Sequence, residues 1–191
     1  MAGSIVSLLY NSPVIPAVRT PDDFKFALTQ TTAPSIILLF GDINMLPDLL
    51  AQAKQYHKRL VLHLDLFEGV GKDKAGIQFL ARLGVSAVIT TKAQLAKIAR
   101  EQGMIVVQRL FIMDSEAVRT GIHLLSNFKP DALEILPASV PGRVVQKLIR
   151  ETGLPILAGG LIEGTEDVAE ALQKGICAVS TNKRELWKLR F

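Results

Sequence analysis

Short apolar, β-branched runs alternate with longer stretches of helical periodicity from one end of the chain to the other. The runs are Val14–Arg19, Ser35–Gly41, Leu60–Leu66, Ala87–Thr91, Ile105–Phe111, Ala132–Pro137, Pro155–Gly159 and Ile176–Thr181. Each has the length and composition of a buried strand. The segments between them carry helix start signals, with Pro21-Asp22-Asp23 in one first turn and Asp73 and Asp114 just ahead of two others. Gly84, Gly103, Gly153 and Gly175 stand where helices should stop. Strands alternating with helices predict a parallel sheet with right-handed crossovers, and eight such units predict closure. The expectation is an α/β chain folded as a (β/α)8 TIM barrel with short loops, one domain over residues 1–191. The rival is a doubly wound open sheet. It needs only five or six strands, leaves two units without a place, and lacks a GxGxxG after the first strand.

Composition narrows the class. Of 191 residues, 49% are hydrophobic and 21% charged, enough for a large core. The lone Cys177 excludes a disulfide framework and a zinc cluster of several thiolates, and fits a reducing cytoplasm. No apolar run approaches the roughly 20 residues that span a bilayer. The stretch Ile5–Tyr10 lacks a charged flank and a long apolar region, so it is not read as a signal peptide. A net charge of +4 permits contact with a polyanion without demanding it, because the 22 basic residues are scattered.

Ligands in both architectures bind beyond the carboxyl ends of the strands, so the polar residues there carry the chemistry. In the third run, period two sends Val61, His63 and Asp65 into the barrel and Leu62, Leu64 and Leu66 toward the helices. Asp65 is then a ligand or catalytic candidate, or half of a buried ion pair with Arg19 or Arg109. His63, one layer deeper, reads as a core histidine. Glu134 points inward on the sixth run and needs a cation or hydrogen-bond donor there. Of Gln108 and Arg109 one must face inward, and Arg109 is preferred because a guanidinium under the helices is hard to satisfy. Glycines in the loop Phe67–Lys74 allow a tight turn, and Glu68 and Lys72 are placed to cover the mouth. The sharpest pattern is Gly159-Gly160 at the end of the seventh run beside Ser180-Thr181 at the end of the eighth. Backbone N–H groups and hydroxyls at these two strand ends form the usual phosphate site of such barrels.

Residue types alone leave enzyme and sensor open. The strands hold no lysine for a Schiff base and no Cys/His pair. Asp65 and Glu134 can serve as acid and base in a small phosphosugar isomerase, epimerase or lyase. Three dispersed histidines argue against a metal centre, although Asp65, Glu68 and Glu134 are candidates to recruit magnesium.

Six stretches resemble the glycerol uptake operon antiterminator regulatory proteins: Ile15–Arg19 (IPAVR), His63–Asp73 (HLDLFEGVGKD), Gln108–Asp114 (QRLFIMD), Glu134–Pro141 (EILPASVP), Ala158–Ile162 (AGGLI) and Ala178–Lys188 (AVSTNKRELWK). The resemblance runs from about Pro13 to Lys188. It implies a barrel that binds glycerol 3-phosphate as effector, without cofactor, metal or turnover. It further implies a cytoplasmic protein acting on leader mRNA to prevent premature termination, with homo-oligomers allowed and no membrane contact. Carried onto this chain, Gly159, Gly160, Ser180 and Thr181 hold the phosphate. Asp65, Glu134 and Arg19 lie near the glycerol hydroxyls, with Lys72 and Arg109 as further candidates. Lys183, Arg184, Lys188 and Arg190 are the candidate RNA surface, joined by Arg143, Lys147 and Arg150, although a solvated face explains them equally well. Two departures from the family pattern are Ala138, where it has Gly after Leu-Pro, and Lys183 directly after Asn182.

Overall fold

In the computed structural model, which describes Ile5, Leu9, and residues 12–126 and 128–189, every strand pairs in parallel with the next in sequence. They are β1 (Val14–Val18), β2 (Ser35–Leu38), β3 (Arg59–His63), β4 (Ala87–Thr90), β5 (Ile105–Phe111), β6 (Ala132–Leu136), β7 (Ile156–Gly159) and β8 (Ala178–Thr181). β8 returns to β1 through Val14↔Val179 and Ile15↔Ser180, which closes the (β/α)8 barrel and leaves no open edge. The connecting helices are α1 (Pro21–Gln30), α2 (Leu46–Gln55), α3 (Lys74–Leu83), α4 (Ala93–Glu101), α5 (Ser115–Leu125), α6 (Gly142–Thr152) and α7 (Thr165–Gln173). After β8 a single 3-10 turn, Arg184–Leu186, stands where an eighth helix would lie.

The start signals work as expected. The Thr20 hydroxyl accepts from Asp23 N–H ahead of Pro21, Asp73 accepts from Gly76 N–H, and Asp114 accepts from Ala117 N–H. The four predicted stop glycines all carry positive φ.

Period two divides the strand side chains between two cores. Ile36, Leu38, Leu60, Leu62, Val106 and Ile135 pack under the helices. Ile37, Val61, Ile89, Val107 and Leu157 fill the barrel, where Ile5, Leu9 and Leu39 also pack against them.

Two strands end three residues earlier than expected. β2 stops at Leu38, not Gly41, and β3 stops at His63, not Leu66. After His63 the chain turns, with the N–H groups of Leu66 and Phe67 both donating to the His63 carbonyl. The alternation therefore ends there, and Leu66, expected under the helices, is 47% exposed. Of the apolar stretch Ile5–Tyr10, all but Ile5 and Leu9 lies outside the described residues. Among the described residues no helix is long and apolar enough to cross a membrane.

Candidate functional site

The carboxyl-end floor of the barrel is uneven. On one side β1, β7 and β8 contribute Ala17, Gly159 and Ser180. On the other β3, β5 and β6 contribute His63, Arg109 and Glu134. The long side chains are knotted together. Arg109 Nε donates to Glu134 Oε2 at 2.5 Å, Ser180 Oγ donates to Glu134 Oε1 at 2.6 Å, and Arg109 Nη1 lies 2.6 Å from His63 Nε2. The preference for an inward Arg109 and the need of Glu134 for a partner are both met in this one contact. Glu134 is fully buried, and a guanidinium and a hydroxyl replace the water that its carboxylate oxygens lose. Accepting from Arg109 places the His63 proton on Nδ1, where it meets no partner among the described residues. Burial, and then the Arg109 charge, push the His63 pKa down to about 4, against a smaller upward pull from Asp65.

Small residues on the β1–β7–β8 side leave a cavity of about 150 Å³. Its wall includes Arg19, Arg109, Gly160, Ser180, Thr181 and Asn182. Pockets for drug-sized ligands run to roughly 300–1,000 Å³, so this one suits a small molecule and not a nucleotide cofactor. Gly160 and Leu161 follow one another in left-handed conformation, with φ of 73° and 58°. For leucine that geometry is strained, and such strain concentrates at ligand sites. Ala138 N–H donates to the Gly160 carbonyl and Asp167 accepts from the N–H groups of Glu163 and Gly164, which hold the turn. The Thr181 hydroxyl accepts from Lys183 N–H, and the guanidinium of Arg19 makes no ion pair among the described residues.

Asp65 lies apart from this cavity. It pairs with neither arginine and instead accepts from the Thr90 hydroxyl, the Thr91 N–H and the Thr91 hydroxyl at 2.7, 2.7 and 2.9 Å. Burial pulls its pKa upward, but those hydrogen bonds and the neighbouring His63 outweigh it and hold the carboxyl below its ordinary value. The early end of β3 explains the position, since Asp65 sits on the turn and reaches sideways over β4. Thr90 and Thr91 escaped the sequence reading, although a polar pair at a strand end was the signal that picked out Ser180 and Thr181. Gln108 points the other way, donating to the carbonyls of Thr90 and Thr91. Lys72 donates to the carbonyls of Leu64 and Phe67, so it stitches its own loop. Glu68 pairs through its backbone with Asp42, joining the β2 and β3 loops. Among the described residues no three His, Cys, Asp or Glu side chains converge as a metal site, the trio Asp65, Glu68 and Glu134 included.

The C-terminal cations are largely engaged. Lys183 pairs with Glu163 and Arg184 with Asp23, while Arg184 and Lys188 both stand over the Phe26 ring. Arg190 lies outside the described residues.

A closed eight-stranded barrel with a small polar cavity between the ends of β7, β8 and β1 defines the class: a minimal (β/α)8 protein with a mouth suited to a small ligand. Residues 14–187 match the family model of the glycerol-3-phosphate responsive antiterminators. The glycerol uptake operon antiterminator regulatory protein of Listeria monocytogenes has a similar solved structure, at TM-score 0.86 and 32% identity, over 93% of this chain and 95% of that one. An antiterminator-related protein from Thermotoga maritima gives TM-score 0.83 and 30% identity over 93% and 99%. The Escherichia coli protein YgcP is 32% identical over 186 residues, 97% of this chain and 96% of its own. The chain belongs to the glycerol-3-phosphate responsive antiterminator family.

Proposed function

We propose that this protein is a sensor of glycerol 3-phosphate that, when liganded, acts on leader mRNA in the cytoplasm to prevent premature termination of glycerol uptake and utilisation genes. The observation that carries the reading is the small cavity between the ends of β7, β8 and β1, with Arg19 unpaired at its wall and the left-handed turn at Gly160–Leu161 beside it. The phosphoryl group is assigned to Gly159, Gly160, Ser180 and Thr181, with Arg19 as counter-charge. Because the Ser180 proton is committed to Glu134, Ser180 can only accept, from a glycerol hydroxyl at the edge of the phosphoryl site, and the Thr181 proton is the one available to the anion. The glycerol hydroxyls then face Ser180 and Arg109, which Glu134 holds in place from behind.

Proton-transfer chemistry is disfavoured by the same geometry. Both Glu134 oxygens are occupied and the group is fully buried. Asp65 is held by three donors with its pKa depressed, the reverse of the raised value a general base near neutrality requires.

Calorimetry with glycerol 3-phosphate, glycerol and inorganic phosphate tests the reading, with binding expected for the ester and far weaker binding for either half. Failure to bind the ester would sink it. Incorporation of deuterium into phosphorylated trioses incubated with the protein would replace the sensor with an isomerase.

A further inference from the structure

A second concavity lies at the other end of the barrel from the mouth. It measures about 740 Å³ and opens where the last turn of α2, the start of β3 and the turn between α3 and β4 meet. Lys54, His57, Lys58 and Arg59 line it beside apolar Leu50 and Leu83, with no carboxylate among the described residues of its wall. Several cations elsewhere sit in ion pairs: Lys183 with Glu163, Arg184 with Asp23, Lys174 with Glu170 and Arg119 with Glu116. Lys147 of α6 faces a recess shared with Glu116 and Glu151. A concave surface lined by one sign of charge focuses its field on an approaching polyanion.

Helix ends account for part of this charge. The carbonyl end of a helix carries about half a negative charge and draws cations into its last turn. Lys58 serves that role, donating to the carbonyls of Thr31 and Ala33 just past α1 at 2.9 and 2.6 Å. Lys54 occupies the last turn of α2. His57 is different. It follows the α2 cap at φ 55°, and the turn is closed by His57 N–H to Lys54 carbonyl and Lys58 N–H to Ala53 carbonyl. Glycine or asparagine suits that position, and the exposed imidazole adds nothing to the closure. Two exposed aromatic side chains adjoin groove residues along the chain: Tyr56, next to His57 and in the wall of the neighbouring α1–α2 recess, and Phe79, one helical turn before Leu83 on α3, at 43% and 46% exposure. Cations for phosphates beside open aromatic faces for bases are the combination that takes up a single strand.

We propose that this α2–α3 groove, and not the C-terminal cations, is the surface that receives single-stranded RNA, with Lys54 and His57 on the phosphates and Tyr56 and Phe79 under the bases. The proposal rests on the RNA reading above. The test is fluorescence anisotropy with a fluorescein-labelled single-stranded RNA of mixed sequence, over a salt series, for the wild type, Lys54→Glu/His57→Gly, Tyr56→Ala/Phe79→Ala and Lys188→Glu. His57→Gly suits the left-handed position, so thermal stability should hold. The first double variant should lose about tenfold or more in affinity, with a salt slope shallower by about one per phosphate contact removed. The aromatic pair should lose affinity at unchanged salt slope, and calorimetric binding of glycerol 3-phosphate should persist in every variant. Equal affinity of wild type and both groove variants, or loss confined to Lys188→Glu, overturns the groove assignment and leaves the RNA reading standing. No binding by the wild type at any salt concentration overturns the RNA reading itself.

Discussion

Gly159 shows how a residue serves the site by what it lacks. A Cβ there would lie 2.5 Å from Ser180 Oγ and 3.4 Å from Glu134 Oε1. The glycine therefore clears the path along which Ser180 reaches Glu134, a contact between residues 46 apart in sequence. Gly159→Ala should destabilise the protein by about 1–3 kcal/mol through overpacking. In a Ser180→Ala background the obstructing oxygen is gone and most of that cost should disappear. Urea unfolding of the two single variants and the double variant measures this, and simple additivity would show that the clash is not the cause. Inward Glu134 was readable from strand periodicity, because the rule concerns neighbours two residues apart. Its bond to Ser180 was not, because nothing local encodes which side chains meet across a barrel.

At the scale of elements, the segment after β8 replaces a whole helix with a short anchor. Trp187 is 2% exposed, its indole N–H donates to the Thr181 carbonyl at 2.8 Å, and its ring lies 6.0 Å from that of Phe26 on α1. One large buried ring thus covers the β8–β1 seam and ties down the strand end that carries the proposed phosphate hydroxyl. Trp187→Ala should cost about 3–5 kcal/mol in urea unfolding. It should also weaken glycerol 3-phosphate binding, since the end of β8 loses its tether. A variant of unchanged stability would refute the anchor. The sequence could not show that Trp187 would fill this place, because the gap that the ring fills exists only once β8 has met β1. The early ends of β2 and β3 escaped sequence reading for a related reason. Apolar alternation continues past Leu38 and His63, but the strands stop where the loops after them join through the Asp42–Glu68 bridge.

Across the whole molecule, the charge network under the mouth makes stability depend on pH. His63 is 3% exposed and has a folded pKa of about 4, against 6.5 for the free side chain. The unfolded chain therefore takes up a proton below about pH 6.5 that the folded chain refuses. The contribution of His63 is complete above that pH and is lost progressively as pH falls toward 4. At 1.36 kcal/mol for each pH unit of difference, this amounts to roughly 3 kcal/mol at the lower limit. Asp65, whose carboxyl is held below its ordinary value, adds a further loss only at still lower pH. Urea midpoints measured between pH 7.5 and 4.5 should fall for the wild type and remain flatter for His63→Gln. Parallel profiles would assign the acid sensitivity elsewhere.

The sequence by itself determined the eight-fold alternation, the helix caps at Thr20, Asp73 and Asp114, and the inward side of most strands. These follow from rules that act over two to four residues, and local backbone geometry enforces them wherever the chain lies. Tertiary structure decided what depends on closure and stagger. Arg109 meets Glu134 and His63, Asp65 turns to Thr90 and Thr91, and the cations of α2 and β3 gather in a groove with no carboxylate among its described residues. Those pairings depend on the register between strands far apart in the chain, which no stretch of sequence carries alone.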